Sequence, residues 1–232
     1  MRPPDAVAVV VPARDEEELL PGCLDAIAAA VDELRRERPG LPCRTFVVLD
    51  ACRDGSPAVV ASRRGTTAVT VDAGCVGVAR AAGVRAAADW AAGEGSTALW
   101  VAGTDADSVV PRHWLTTQVD LADGGVDLVV GTVEPVAADL PPELVAAWRA
   151  RHTLADGHEH VHGANLGFSL AAYDAVGGFA PLPVHEDVDL VRSIRASGRT
   201  WVAAGSLPVT TSGRRVARAP GGFAHYLDGL GA

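Results

Sequence analysis

The chain contains no lysine: all 20 of its basic residues are arginine, against 29 acidic residues and a net charge of −9. Such a chain lacks the basic face that a nucleic-acid backbone requires, so no nucleic-acid partner is expected. Any phosphate must be met by arginine, by backbone N–H groups or by a metal ion. Cysteine is sparse: Cys23, Cys43, Cys52 and Cys75 fall in the first third, with no C-x-x-C pair and no zinc spacing. Reduced, buried thiols without disulfides and a cytoplasmic location are expected. No apolar run approaches the ~20 residues of a membrane span, so membrane association would be peripheral. The opening Met1-Arg2-Pro3-Pro4-Asp5 carries no signal-peptide core. No G-x-G-x-x-G follows the first apolar run, which disfavours a Rossmann dehydrogenase.

What is present reads as one globular domain. With 232 residues, 48% of them hydrophobic, the chain can bury a central sheet. Continuous apolar runs at Val7–Val11, Phe46–Leu49, Ala68–Val71 and Leu99–Ala102 predict buried strands of the parallel kind. Between them, Leu20, Leu24, Ile27 and Val31 mark one face of a helix stopped by Pro39-Gly40, and Val78–Ala92 is an Ala-rich helix closed by Gly93. The rhythm is that of a doubly wound α/β fold. Further on, helices are expected at Pro111–Ala122, Pro141–Arg151 and Glu186–Ala196. Strands are expected at Asp127–Thr132, Thr200–Ala204 and Leu207–Thr211, with an extended stretch at Gly163–Leu170. We read residues 1–110 as a nucleotide-binding half and 111–232 as an acceptor-binding half of a single domain, leaving a homodimer open.

Thr104-Asp105-Ala106-Asp107-Ser108 carries the chemistry. It places two carboxylates at the C-terminal end of a buried strand, where α/β sheets bind ligands. Two acids so close call for a cation, and hard oxygen donors suit Mg²⁺ or Mn²⁺ accompanying a substrate's phosphates. Read alone, the pair fits an acidic loop or a helix cap better. Four further patches sit where elements end. They are Val11-Pro12-Ala13-Arg14-Asp15-Glu16-Glu17, Asp50-Ala51-Cys52-Arg53-Asp54-Gly55-Ser56, Gly77-Val78-Ala79-Arg80, and Gly163-Ala164-Asn165-Leu166-Gly167-Phe168 followed by Gly177-Gly178-Phe179 and His185-Glu186-Asp187-Val188-Asp189-Leu190.

In order and spacing these motifs resemble the family 2 glycosyltransferases of the GT-A fold, over about Val7 to Ser197. Asp15, Cys52 and Ala81 stand where that family usually has Asn, Ser and Asn. The resemblance implies a three-layer α/β/α sandwich with a mostly parallel central sheet. It implies a sugar transfer from a UDP- or GDP-sugar to a small-molecule or lipid-linked hydroxyl acceptor, dependent on Mg²⁺ or Mn²⁺. Pro12, Ala13, Arg14, Glu16, Asp50, Arg80 and Asp105 would form the nucleotide site, with Asp50 on the base and Arg80 toward the phosphate or sugar. Asp105 and Asp107 would hold metal, with His225 as a third ligand. Asp187 would be the catalytic base with Glu186 beside it, and Gly163, Asn165 and His185 would face the acceptor or sugar.

The chemistry is coherent on its own terms. A sugar hydroxyl needs a carboxylate to take its proton, and a diphosphate leaves readily only when its growing charge is met. One base and no nucleophile opposite it imply inversion. Arg214 and Arg215 follow the last strand and fit either a diphosphate clamp or a solvated turn. His158, His160 and His162 alternate at period two; a metal site is conceivable, but an exposed polar loop over the acceptor cleft is expected. The alternatives are a non-catalytic nucleotide-binding or regulatory module of the same fold, and a nucleotidyltransferase.

Overall fold

The computed structural model describes residues 2–152 and 154–214. The first half builds β1 (Ala6–Ala13), α1 (Leu20–Glu37), β2 (Cys43–Asp50), α2 (Ser56–Ala61), β3 (Thr66–Val71), α3 (Val76–Gly93) and β4 (Leu99–Gly103). The second half adds β5 (Ser108–Val109), α4 (Trp114–Asp123), β6 (Leu128–Pro135), α5 (Pro142–Arg151), β7 (Leu166–Ser169), α6 (Leu170–Ala175), α7 (Glu186–Ala196) and β8 (Trp201–Thr211). All form one eight-stranded sheet in the order β3-β2-β1-β4-β7-β6-β8-β5. Pairing is antiparallel only for β7, against both neighbours, and for β5 against β8. Six strands therefore point one way, and the sheet is mostly parallel, as expected.

Alternation along β1 shows why the fold has three layers. Val7, Val9, Val11 and Ala13 pack with Leu20, Leu24, Ile27 and Leu34 of α1 and with Trp114 and Leu115 of α4. Ala6, Ala8 and Val10 face α3 and α7 on the other side. A strand buried on both faces must be apolar throughout, and β1 is. The apolar stripe of α1 recurs every three to four residues and faces the sheet. On the opposite face Gly83 lets α3 approach closely, because a Cβ there would lie 2.4 Å from a Val10 methyl carbon.

Three local expectations change. The two helices α2 and α6 were not foreseen: at six residues each they span less than two turns, too short for periodicity to register. The stretch expected to be extended from Gly163 to Leu170 opens with a 3₁₀ turn at Gly163–Asn165 and yields to α6 at Leu170, where Ser169 Oγ accepts the Ala172 N–H at 3.1 Å. The last two expected strands are one, β8, whose register against β6 shifts between Gly131 and Val133. The break expected at Gly205-Ser206 is a bulge within a single strand.

Candidate active site

The parallel strands end on one side of the sheet, where open α/β sheets place their ligand clefts. Among the described residues, three non-glycine residues adopt left-handed backbone conformations: Asp15 (φ 53°) beyond β1, Ala51 (φ 53°) beyond β2 and His185 (φ 63°) before α7. Such residues cost about 1–3 kcal/mol each and persist where their surroundings over-determine them. Asp15 is held by its carboxylate, which accepts the Arg53 N–H at 2.7 Å.

A cavity of about 540 Å³ opens at these strand ends, lined by Pro12, Ala13, Arg14, Glu16, Asp50, Arg80, Asp105, Asp107, Gly163, His185, Glu186 and Asp187. The structure thus brings together nearly all the residues expected from sequence. Asn165 is the exception and is a correction. It is fully buried, its Nδ2 donates to the Thr132 and Leu207 carbonyls, and its Oδ1 accepts the Trp114 indole N–H. It braces the irregular β6–β8 junction and does not face the acceptor. His225 lies outside the described residues.

Within the cavity each acid has a distinct setting. Asp50 accepts the Ala73 and Gly74 N–H groups on Oδ1 and the Cys75 N–H on Oδ2, at 2.8–3.0 Å, so it shapes the loop that leads into α3. Arg80 is almost wholly buried. It donates from Nε to Glu186 at 3.0 Å, from Nη1 to the Gly163 carbonyl at 3.0 Å and from Nη2 to Asp105 at 2.5 Å. Expected to reach the phosphate or sugar, it lines the cavity and ties α3 to α7 and to the loop after β4. Glu186 is turned inward to Arg80; burial raises its pKa, opposed by that guanidinium. Asp187, one residue on, accepts the Gly163 N–H at 2.6 Å on Oδ2 and the Val188 N–H at 2.8 Å on Oδ1. Asp187 also lines the cavity.

Asp107 is pushed up to about 6 by burial and by Asp105 and Glu16, with Arg214 and Thr211 opposing. Its Oδ1 accepts the Thr211 hydroxyl at 3.2 Å, and Thr211 in turn accepts from Ser108 at 2.9 Å. Arg214 reaches in from beyond β8 to Glu16 and Asp107, so the solvated-turn reading does not hold for it; Arg215 lies outside the described residues. Thr211 was missed from sequence because no local pattern marks it.

The histidine tract also departs from expectation. His158 is buried, and His160 and His162 are partly covered. The rings of His152 and His160 lie 4.7 Å apart, and His152 stacks on Trp148 at 4.4 Å. Burial, with His160, His152 and His158 around it, pushes His162 down to about 4. Among the described residues, metal-ligating atoms of three side chains converge only at Asp15, Cys52 and Asp54, not at the histidines. The four cysteines are free; Cys23 is buried, whereas Cys43, Cys52 and Cys75 are only partly covered, short of the buried thiols expected, and desolvation pushes the Cys43 thiol up to about 12.

The lining carries six carboxylates (Glu16, Asp50, Asp105, Asp107, Glu186, Asp187) against three guanidinium groups (Arg14, Arg80, Arg214). The lining is net acidic, so added positive charge would favour an anionic ligand there. Asp105 and Asp107 carry hard oxygen donors of the kind Mg²⁺ or Mn²⁺ takes, but with Glu16 they do not converge as three ligands on one point in this structure.

A mostly parallel sheet with flanking helices and an acidic cleft at the strand ends defines the GT-A glycosyltransferase architecture. The chain belongs to glycosyl transferase family 2, whose sequence profile matches residues 8–155. Solved structures share the fold. A mannosyltransferase from Pyrobaculum calidifontis in complex with GDP-Man and Mn²⁺ superposes with a TM-score of 0.63 at 24% identity, covering 92% of this chain and 58% of that one. TarS from S. aureus (residues 1–349) gives 0.61 at 14% identity, covering 90% and 61%. GalNAc-T7 with UDP, GalNAc and Mn²⁺ gives 0.64 at 11% identity, covering 92% and 46%. The chain therefore spans about half to three-fifths of these relatives' lengths. No curated protein sequence matches it. Among the described residues, no helix is long and apolar enough to cross a membrane.

Proposed function

We propose that the chain moves a hexosyl group from a UDP- or GDP-sugar to a hydroxyl of a small-molecule or lipid-linked acceptor, with inversion at the anomeric carbon. The observation that carries this reading is that one cavity is lined both by the acidic group Glu16, Asp105 and Asp107 and by the separately anchored carboxylate of Asp187. The relatives solved with GDP-Man and Mn²⁺ and with UDP and Mn²⁺ support the donor class and the metal. Asp105 and Asp107 would hold Mg²⁺ or Mn²⁺, which supplies Lewis-acid compensation for the leaving diphosphate when bound.

The chain's own residues do the rest. Asp187 accepts the acceptor hydroxyl's proton as attack proceeds. The Gly163 and Val188 N–H groups fix its orientation. Arg80 and Glu186 are positioning residues: they lock Gly163 and the start of α7, so the base is held before substrate arrives. Asp50 sets the loop 73–75 along the wall beside Pro12, Ala13 and Arg14, where the nucleoside would sit. Calorimetric titration of UDP and GDP, with and without Mn²⁺, tests the reading. Binding by one diphosphate that collapses in EDTA is expected, followed by release of that diphosphate from its sugar donor in the presence of an acceptor. Equal affinity with and without metal overturns it.

A further inference from the structure

Arg214 pairs with two carboxylates of the cavity, and the proposed chemistry does not use it. Its Nη1 donates to Glu16 Oε2 and its Nη2 to Glu16 Oε1, both at 2.6 Å. The same Nη2 lies 3.1 Å from Asp107 Oδ2. One planar guanidinium thus covers a buried glutamate in bidentate fashion and touches the second aspartate of the D-x-D pair.

The partners are fixed in place. Glu16 is buried, and its own N–H donates to Ser56 Oγ at 2.9 Å. Asp107 is held by Thr211, and its carbonyl accepts the Ser212 N–H at 3.1 Å. The backbone that delivers Arg214 is anchored as well: the Gly213 N–H donates to Asp139 at 2.9 Å, and a Cβ at Gly213 would lie 2.8 Å from that of Asp139. Arg214 is therefore placed in the acidic pocket by the fold. Glu16, Asp105 and Asp107 repel one another, and a cation among them relieves that repulsion.

We propose that Arg214 is a built-in counter-ion for this acidic pocket, and that a divalent cation binds Asp107 only by displacing its guanidinium from Asp107 and Glu16. A guanidinium and a metal ion cannot both take the same carboxylate lone pairs at bonding distance. The proposed displacement rests on reading Asp105 and Asp107 as the metal-holding pair.

The test is Mn²⁺ affinity of the full chain without nucleotide, measured by calorimetry and by the loss of the free-ion paramagnetic resonance signal. Arg214→Gln should bind Mn²⁺ about tenfold more tightly or better, the scale of one charge-assisted hydrogen bond. Arg214→Lys keeps the charge but cannot bridge both acids, so its affinity should fall between the two. Equal affinities for all three proteins overturn the proposal. So does Arg214→Lys matching the parent while Arg214→Gln tightens, since that is a pure field effect. Should Arg214→Gln not fold, Arg214→Lys decides: tighter than the parent supports the displacement, equal or weaker overturns it. Absence of Mn²⁺ binding in every variant removes the metal reading itself, an outcome distinct from equal binding.

Discussion

Arg80 and Asp187 hold the two polar groups of a single residue: Arg80 Nη1 donates to the Gly163 carbonyl, and the Gly163 N–H donates to Asp187 Oδ2. The proposed base is thus braced through one peptide segment by a buried guanidinium from the opposite half of the chain. A Cβ at Gly163 would lie 2.4 Å from Arg80 Nη2, and Arg80, tied to Glu186 and Asp105, has nowhere to retreat. Gly163→Ala should cost about 1–3 kcal/mol of stability, the usual range for overpacking. It should also lower turnover by displacing Asp187, as read by thermal melting alongside kcat.

Asp187→Asn keeps the shape but cannot accept a proton, and it leaves one of the two N–H groups now bound by the carboxylate, that of Gly163 or of Val188, without its acceptor. The donor's Kd should change little while kcat falls by about 10²–10⁴-fold. Full turnover by this variant on a working donor–acceptor pair would reassign the base.

Asn165→Ala should act on stability alone. It strands the Trp114 indole N–H and removes the donor to two buried carbonyls. The expected loss is about 3 kcal/mol in chemical denaturation, with diphosphate affinity unchanged in the folded fraction. A selective loss of sugar-donor affinity at full stability would return Asn165 to the substrate site.

The pH dependence of stability should carry a signature of His162. Its folded-state value is pushed from 6.5 down to about 4 by burial and its histidine neighbours. The folded protein therefore holds this proton less well than the unfolded chain. The stability that depends on neutral His162 is complete above its ordinary value, declines as pH falls, and is gone below about 4. His162→Gln should flatten this acid limb by roughly 2 kcal/mol, measured by denaturant titration at pH 7 and pH 4.5.

Much of the scaffold is legible in the chain because it is written in short-range patterns. A strand covered on both faces has to be apolar along its length, so β1, β2 and β4 announce themselves. The stripe of α1 is visible for the same reason, and the D-x-D pair is marked by its place directly after β4. Elements of six residues, α2 and α6, leave no periodic trace, and the bulge in β8 looks like a gap between two strands.

Sequence alone determined the α/β class, the order of the longer elements of the first half, and the acids that end up at the strand termini, since burial and strand polarity follow from local composition. Only the tertiary structure decided which of those groups remain open to a ligand. Arg80 finds Glu186 across 106 residues, and Arg214 finds Glu16 across 198. Asn165 is taken into the core by two carbonyls on different strands. A charged or amide side chain is satisfied by whatever donor or acceptor the fold brings within about 3 Å, and at such separations no local pattern specifies that partner.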